Sequence, residues 1–237
     1  MKAGLTEIVI ILDASGSMMH LTDDTIGGFN SLIKEQKEIE GDARITLVTF
    51  NHEVQEVYGS KSVKDVEELT SREYRPSGMT ALYDAIGLTI DKLAKRLEKL
   101  TEEEKPEKVM VVITTDGYEN SSKEYSQSIV KDKITEKEKE GWEILFIGAN
   151  IDTSAEGDKI GLMKDKTANY EASSRGVARM YSVVSETMTS LRCEGEIDKD
   201  WAKKIIVDPH KDKAIKANSP EGQIVKPPKK LKKEDYK

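Results

Sequence analysis

Apolar residues along this chain fall into two kinds of pattern. Three short runs are apolar without alternation: Ile8–Leu12 (IVIIL), Val109–Ile113 (VMVVI) and Ile144–Ile147 (ILFI). Branched residues dominate them. A strand with no polar side is covered on both faces, so these runs predict central, parallel strands. A fourth run, Ile45–Phe50 (ITLVTF), alternates more and also predicts a strand. Val54–Tyr58 follows it closely, with Asn51 and His52 between, a hairpin spacing that predicts an antiparallel edge.

Helical periodicity fills the gaps. In residues 80–100, Leu82, Ile86, Leu93, Leu97 and Leu100 recur at three- to four-residue steps or their multiples, making one apolar stripe. Residues 24–39 and 124–140 also read as helices, the second mostly solvated. A last long helix is predicted at 174–192, with Val177, Met180, Val184, Met188 and Leu191 on one face. The alternation of strands and helices predicts an α/β fold, a doubly wound and mostly parallel sheet with right-handed crossovers. A short strand near Thr167–Tyr170 makes it six-stranded, with one antiparallel edge.

Beyond residue 192 the pattern changes. Ile197, Trp201 and Ile205 fall at helical spacing, so residues 193–207 predict a short segment packing Trp201 on the body, either as a helix or as a strand at Lys204–Val207. From Asp208 the chain reads PHKDK, NSPEG and KPPKKLKK, which cannot build a core and predicts a flexible basic tail over 208–237. Residues 1–192 are then the one sizeable domain.

Composition narrows the function class. The 37% hydrophobic and 34% charged fractions suit a soluble globular protein. No apolar run approaches the ~20 residues of a membrane span. The opening MKAGLTE enters a strand pattern at once, without the apolar stretch of a signal peptide, which predicts cytoplasmic residence. Cys193 is the only cysteine, so no intrachain disulfide forms, and it reads as a partly buried, inert thiol. His20, His52 and His210 are scattered, against a zinc site of the usual kind. The tail carries nine lysines against five acids, so the formal charge of −7 divides into +4 on the tail and −11 on the rest. An acidic body opposes general nucleic-acid binding.

Three polar clusters sit where ligands bind in an open α/β sheet, beyond the carboxyl ends of its strands. Asp13-Ala14-Ser15-Gly16-Ser17 follows the first strand. Thr114-Thr115-Asp116-Gly117 follows VMVVI. Ser77-Gly78-Met79-Thr80 opens the clearest helix. Asp13 and Asp116 emerge from strands predicted to be central neighbours, where two unpaired carboxylates would repel and resist ionisation. A shared cation removes that conflict. Ser15 and Ser17 are two apart, so an extended loop turns both hydroxyls to one side, and Thr80 adds a third. All these donors are hard oxygens, suited to Mg²⁺, Mn²⁺ or Ca²⁺. Asp84, one turn into its helix, reads as a first-turn carboxylate rather than a ligand. Thr80 has a competing role as the N-cap of that helix. Asn120 and Ser121 read as capping or turn residues, and His20 as a surface histidine.

The set D-x-S-x-S at 13–17, the Thr of SGMTALYDAI at 80 and the Asp of ITTDG at 116 resembles the von Willebrand factor A domain, over roughly residues 5–192. In that family these positions form a metal-ion-dependent adhesion site. The resemblance implies that Ser15 and Ser17 bind the metal through their hydroxyls. Thr80 would bind directly in one state and through water in another. Asp13 and Asp116 would act largely through water or by supporting the hydroxyls. A cation held mostly by neutral ligands keeps much of its charge. The resemblance therefore implies a protein partner that supplies an Asp or Glu to an open coordination position. The chain resembles the small stand-alone members encoded by bacteria and their phages more than the secreted or membrane-bound adhesion members, and such proteins are often associated with assembly or with partner ATPases.

Two other functions compete with that expectation. A phosphatase-like hydrolase could use Asp13 as nucleophile with Mg²⁺. However, the haloacid-dehalogenase pattern needs a second Asp two residues on, and Ser15 stands there. Neither a GxSxG elbow nor a phosphate-cradling glycine loop occurs. Alternatively, the chain is a structural subunit of a larger assembly whose metal only fixes the fold. The sequence thus predicts a binding module rather than an enzyme, and it leaves partner, cation and oligomeric state open.

Overall fold

The computed structural model of the chain describes residues 1–206. Six strands form one sheet: β1 (Lys2–Asp13), β2 (Ala43–Phe50), β3 (Val54–Ser62), β4 (Pro106–Thr115), β5 (Glu143–Gly148) and β6 (Thr167–Asn169). Their order is β3-β2-β1-β4-β5-β6. Every neighbouring pair is parallel except β2 with β3, which is antiparallel. The three unbroken apolar runs lie in β1, β4 and β5, inside the sheet, and the hairpin partner β3 forms one edge.

Side chains of β1 alternate between two cores. Ile8, Ile10 and Leu12 face one core, which is closed by α1 (Thr22–Glu38) and α5 (Ser174–Glu194). Val9 and Ile11 face the other, closed by α2 (Leu82–Glu98) and α3 (Gln127–Lys139). Helices on both faces explain why these strands carry no polar side. One exception is Glu7, fully buried on β1. Its carboxylate accepts from Arg96 Nη2 at 3.0 Å, Thr46 Oγ1 at 3.1 Å and Ser60 Oγ at 2.6 Å.

Register decides where the chemistry sits. Asp13 pairs with Phe50, and Leu12 pairs with Thr114. The carboxyl ends of β1 and β4 are therefore adjacent, and their following loops leave the sheet side by side.

Several elements depart from the sequence expectation. The predicted helix at 124–140 starts only at Gln127, capped by the Ser126 hydroxyl. Residues 123–125 instead donate their backbone N–H groups to Asp84. A 3-10 turn at Gly16–Leu21 precedes α1. A short helix, α4 (Thr153–Lys159), was not anticipated, because TSAEGDK has no apolar stripe and buries only Thr153 and Gly157. Cys193 is exposed rather than partly buried. Of the two readings left open near Trp201, the helix is the one seen: α6 (Trp201–Ile205) buries Trp201, whose indole N–H donates to Asp165 O at 2.9 Å. The tail read from Asp208 onward lies outside the described residues. Among the described residues no helix is long and apolar enough to cross a membrane.

Candidate metal centre

Three loops converge above the ends of β1 and β4. Backbone hydrogen bonds stitch them together: Ser77 N–H to Ala14 O at 2.8 Å, Gly16 N–H to Gly78 O at 3.1 Å, and Asn120 N–H to Thr80 O at 3.0 Å. A fourth segment joins through Ala81 N–H to Asn51 O at 2.6 Å. Gly78 has φ +71, and a Cβ there would lie 2.3 Å from His52 Nδ1. Only glycine takes that backbone cheaply with His52 so close.

Asp13 is wholly buried. Its two carboxylate oxygens are both engaged: Oδ1 accepts from Ser15 N–H and Oδ2 from the Thr115 hydroxyl, each at 2.6 Å. The main-chain oxygen of Asp13 accepts from the Tyr74 hydroxyl at 2.7 Å. Burial pushes the Asp13 carboxyl above its ordinary value, the Thr115 and Ser15 bonds oppose this, and the Asp116 charge adds to it. Burial likewise holds the Tyr74 phenol well above its ordinary value, so it remains a donor.

The outward side of the cluster is a chain of oxygens. Ser15 Oγ and Ser17 Oγ are 3.0 Å apart, and Ser17 donates to Asp116 Oδ1 at 2.5 Å. Ser15 and Asp116 are buried, whereas Ser17 is exposed. A Cβ built on Gly117 would stand 3.6 Å from Thr80 Oγ1 and 3.9 Å from Ser17 Oγ, so both hydroxyls lie beside Gly117. The other carboxylate oxygen, Asp116 Oδ2, is buried with no hydrogen-bond partner. A buried, unpaired carboxylate oxygen is costly, and a bound cation is one way to offset it. The residues present therefore fit a hard divalent ion on the side where Asp116, Ser17 and Thr80 meet. Among the described residues no group of three or more His, Cys, Asp and Glu side chains could hold a metal. Any site here thus relies on hydroxyls with two carboxylates, not on soft or nitrogen donors.

The structure brings Asp13, Ser15, Ser17 and Asp116 into one hydrogen-bonded cluster, with Thr80 at its edge. Thr80 does not cap its helix: α2 begins at Leu82 with Ala81 in the N-cap position. Its hydroxyl is released from that competing role. Asp84 lies in the first turn of α2, as expected, but its two oxygens collect the N–H groups of Lys123, Glu124 and Tyr125. His20 is exposed and its Nδ1 lies 2.8 Å from Ser17 O.

Some positions escaped the sequence reading of roles. Asn120 does more than turn the chain, since its Oδ1 accepts from Thr80 N–H at 2.8 Å while its own N–H returns to Thr80 O. Thr115 and Tyr74 hold Asp13 from two sides. Glu119 accepts from the N–H groups of Tyr83, Ser121 and Ser122. Only Thr115 carried a signal, its place beside Asp116 at a strand end. Asn120 and Tyr74 act across separations that no local pattern reveals.

Comparison with known structures gives the same architecture. A mussel byssus proximal thread matrix protein 1 with a zinc-occupied MIDAS motif aligns at TM-score 0.55 and 20% identity, covering 79% of this chain and 46% of that one. This chain spans about half the length of the mussel structures it matches. The manganese-loaded TRAP protein of Plasmodium vivax aligns at 0.50 and 15% identity, covering 76% and 74%. The vWF domain of the pilus tip protein Mfa5 from Porphyromonas gingivalis aligns at 0.57 and 11% identity, covering 81% and 98%. Such identities speak to the fold alone. Comparison with curated proteins finds no match. A family model, the von Willebrand factor type A domain, matches residues 7–182. With that match over most of its length, and with the sheet order and strand-end loops described above, the chain belongs to the von Willebrand factor type A domain family.

Proposed function

We propose that this protein is a metal-dependent protein-binding module whose ligand set is Asp13, Ser15, Ser17, Thr80 and Asp116. The observation that carries this reading is Asp116 Oδ2, buried without a partner while Oδ1 of the same carboxylate accepts from Ser17. We read Mg²⁺ as the resident ion, with Mn²⁺ or Ca²⁺ as substitutes, because every donor is a hard oxygen. When bound, the ion supplies a positive pole for a carboxylate of a partner protein. Ser15, Ser17 and Thr80 would hold it through neutral hydroxyls, with the unpaired Asp116 Oδ2 as the one charged oxygen left to it, so much of its charge is kept. Asp13 orients the serine loop through Ser15 N–H, and Asp116 orients Ser17. The exposed Cys193 thiol suits a reducing compartment and supports a cytoplasmic setting.

The competing readings meet physical obstacles. A nucleophilic Asp13 would need a free, accessible oxygen, but both of its oxygens are engaged and the side chain is 0% exposed. A metal that merely fixes the fold is unnecessary, because direct backbone bonds already tie the loops. The testing experiment is capture of partners from the native host by the full chain, in Mg²⁺ and in EDTA. Capture lost in EDTA and with Ser15→Ala, with circular dichroism unchanged, supports the module. Capture indifferent to both contradicts it.

A further inference from the structure

Helix α2 begins one residue later than its sequence asks. Thr80-Ala81-Leu82-Tyr83 reads as a helix start, with threonine a favoured N-cap and alanine the best helix former behind it. The structure instead puts Ala81 in the N-cap position, and its methyl group cannot cap. The N–H groups of the first turn find their acceptors on the Asp116 loop. Tyr83 N–H donates to Glu119 Oε2 at 2.9 Å, and Asp84 N–H to Ser122 Oγ at 3.0 Å. Glu119 also sets the Ser122 hydroxyl, which donates to the same Oε2 at 2.7 Å and so turns a lone pair to Asp84. The helix is thus capped in trans, from residues 36 and 38 positions away in sequence.

The Tyr83 N–H, three residues on, is the group that a Thr80 cap would take. Asn120 clamps the backbone of Thr80: its Oδ1 accepts from Thr80 N–H at 2.8 Å, and its own N–H donates to Thr80 O at 3.0 Å. With the backbone held on both sides, the side chain is what is left to choose. Its hydroxyl either turns to the helix start or stays beside Gly117, where it lies 3.6 Å from a Cβ built on that residue. The carboxylate that decides between them is itself fixed. Glu119 is half-buried, and its Oε1 accepts from Ser121 N–H at 2.8 Å and Ser122 N–H at 2.7 Å.

We propose that Glu119 is a positioning residue for the metal centre: by holding the Tyr83 N–H, it keeps the Thr80 hydroxyl from capping α2 and leaves that oxygen for the ion. This rests on the metal-dependent reading above. Glu119 itself does not touch the ion. Without its reach to Tyr83, α2 extends by one residue to Thr80, and the helix takes up the hydroxyl.

The test turns on Glu119→Asp in the full chain. This variant keeps the charge, and an aspartate still accepts from the N–H groups two and three residues on. Its arm is one methylene shorter and no longer reaches Tyr83. Calorimetric Mn²⁺ affinity falls about tenfold, as it does on Thr80→Val alone, and adding Thr80→Val to Glu119→Asp lowers it no further. Urea denaturation in EDTA supplies a readout without metal. There Thr80→Val changes the wild-type folding equilibrium constant by less than about twofold but lowers that of Glu119→Asp about fivefold, because only the variant uses the hydroxyl as a cap. Ala81→Ser supplies a cap in cis and restores most of the Mn²⁺ affinity of Glu119→Asp. Unchanged affinity in Glu119→Asp, an equal stability cost of Thr80→Val in both backgrounds, or a loss that Ala81→Ser does not restore overturns the proposal. Any of these with a normal wild-type Mn²⁺ isotherm leaves the metal reading standing, whereas a wild-type chain that binds no Mn²⁺ sinks both.

Discussion

The Thr115 hydroxyl donates to Asp13 Oδ2 at 2.6 Å, joining the ends of the two central strands through residues 102 apart in sequence. This bond holds a wholly buried carboxylate beside a second one. Removing it with Thr115→Val leaves the Asp13 oxygen unpaired and costs about 1–3 kcal/mol of stability in urea denaturation. It also lowers divalent-metal affinity by about tenfold or more, since Asp13 then holds the serine loop less firmly. Calorimetric titration with Mg²⁺ measures the second effect.

Asp13 itself gives a prediction of opposite sign. Its carboxyl sits above the ordinary value of 3.8 because burial disfavours the charged form. Between 3.8 and that raised value the folded chain keeps on Asp13 a proton that the unfolded chain has released. Stability from this group is present at low pH and is lost as pH rises from 3.8 through the raised value. Asp13→Asn removes the buried charge with little change of shape. Its amide can still accept from Ser15 N–H and can donate to Thr115, whose hydroxyl then turns to Gly117 O, 3.1 Å away. In EDTA at neutral pH this variant is more stable than the wild type, on the order of 1 kcal/mol. The difference shrinks on acidification, and metal binding is lost.

The remote Glu7–Arg96 pair separates stability from the site. Arg96→Ala leaves a fully buried carboxylate with only hydroxyl partners and costs about 3 kcal/mol. Replacing both, as Glu7→Leu with Arg96→Ala, recovers most of that loss. Metal affinity is unchanged in all three proteins, because Glu7 lies near the middle of β1, well before the strand end that carries Asp13. Denaturation and calorimetry on the same samples check both halves.

Gly78 tests how tightly the loops are set. Gly78→Ala strains a backbone at φ +71 and drives its Cβ to 2.3 Å from His52 Nδ1. Stability falls by about 1–2 kcal/mol and metal affinity falls with it, since Thr80 lies two residues on. Adding His52→Ala relieves the clash but not the φ, so it restores only part of both losses.

These contrasts show which parts of the molecule a sequence displays. The central strands were legible because burial on both faces removes all alternation, as in Ile8–Leu12, Val109–Ile113 and Ile144–Ile147. The Asp13, Ser15 and Ser17 set and Asp116 stood out because polar residues follow those runs at once. The start of α3 was misjudged because Asp84 draws the backbone of 123–125 into a loop, a competition invisible to periodicity. Asp84 was read only as a partner of its own helix for the same reason. Cys193 was read as partly buried from the habit of its residue type, yet it is exposed near the end of α5. The Asn120–Thr80 and Tyr74–Asp13 bonds span 40 and 61 residues, and only the folded chain brings them together.

The most direct test of the central claim is an anomalous difference map from crystals of the full chain grown with Mn²⁺. The account predicts a single strong peak about 2.0–2.5 Å from the oxygens of its nearest protein ligands, Ser15 and Ser17, with Thr80 and Asp116 bordering it. A map with no peak there, and Ser17 still bonded to Asp116, contradicts it.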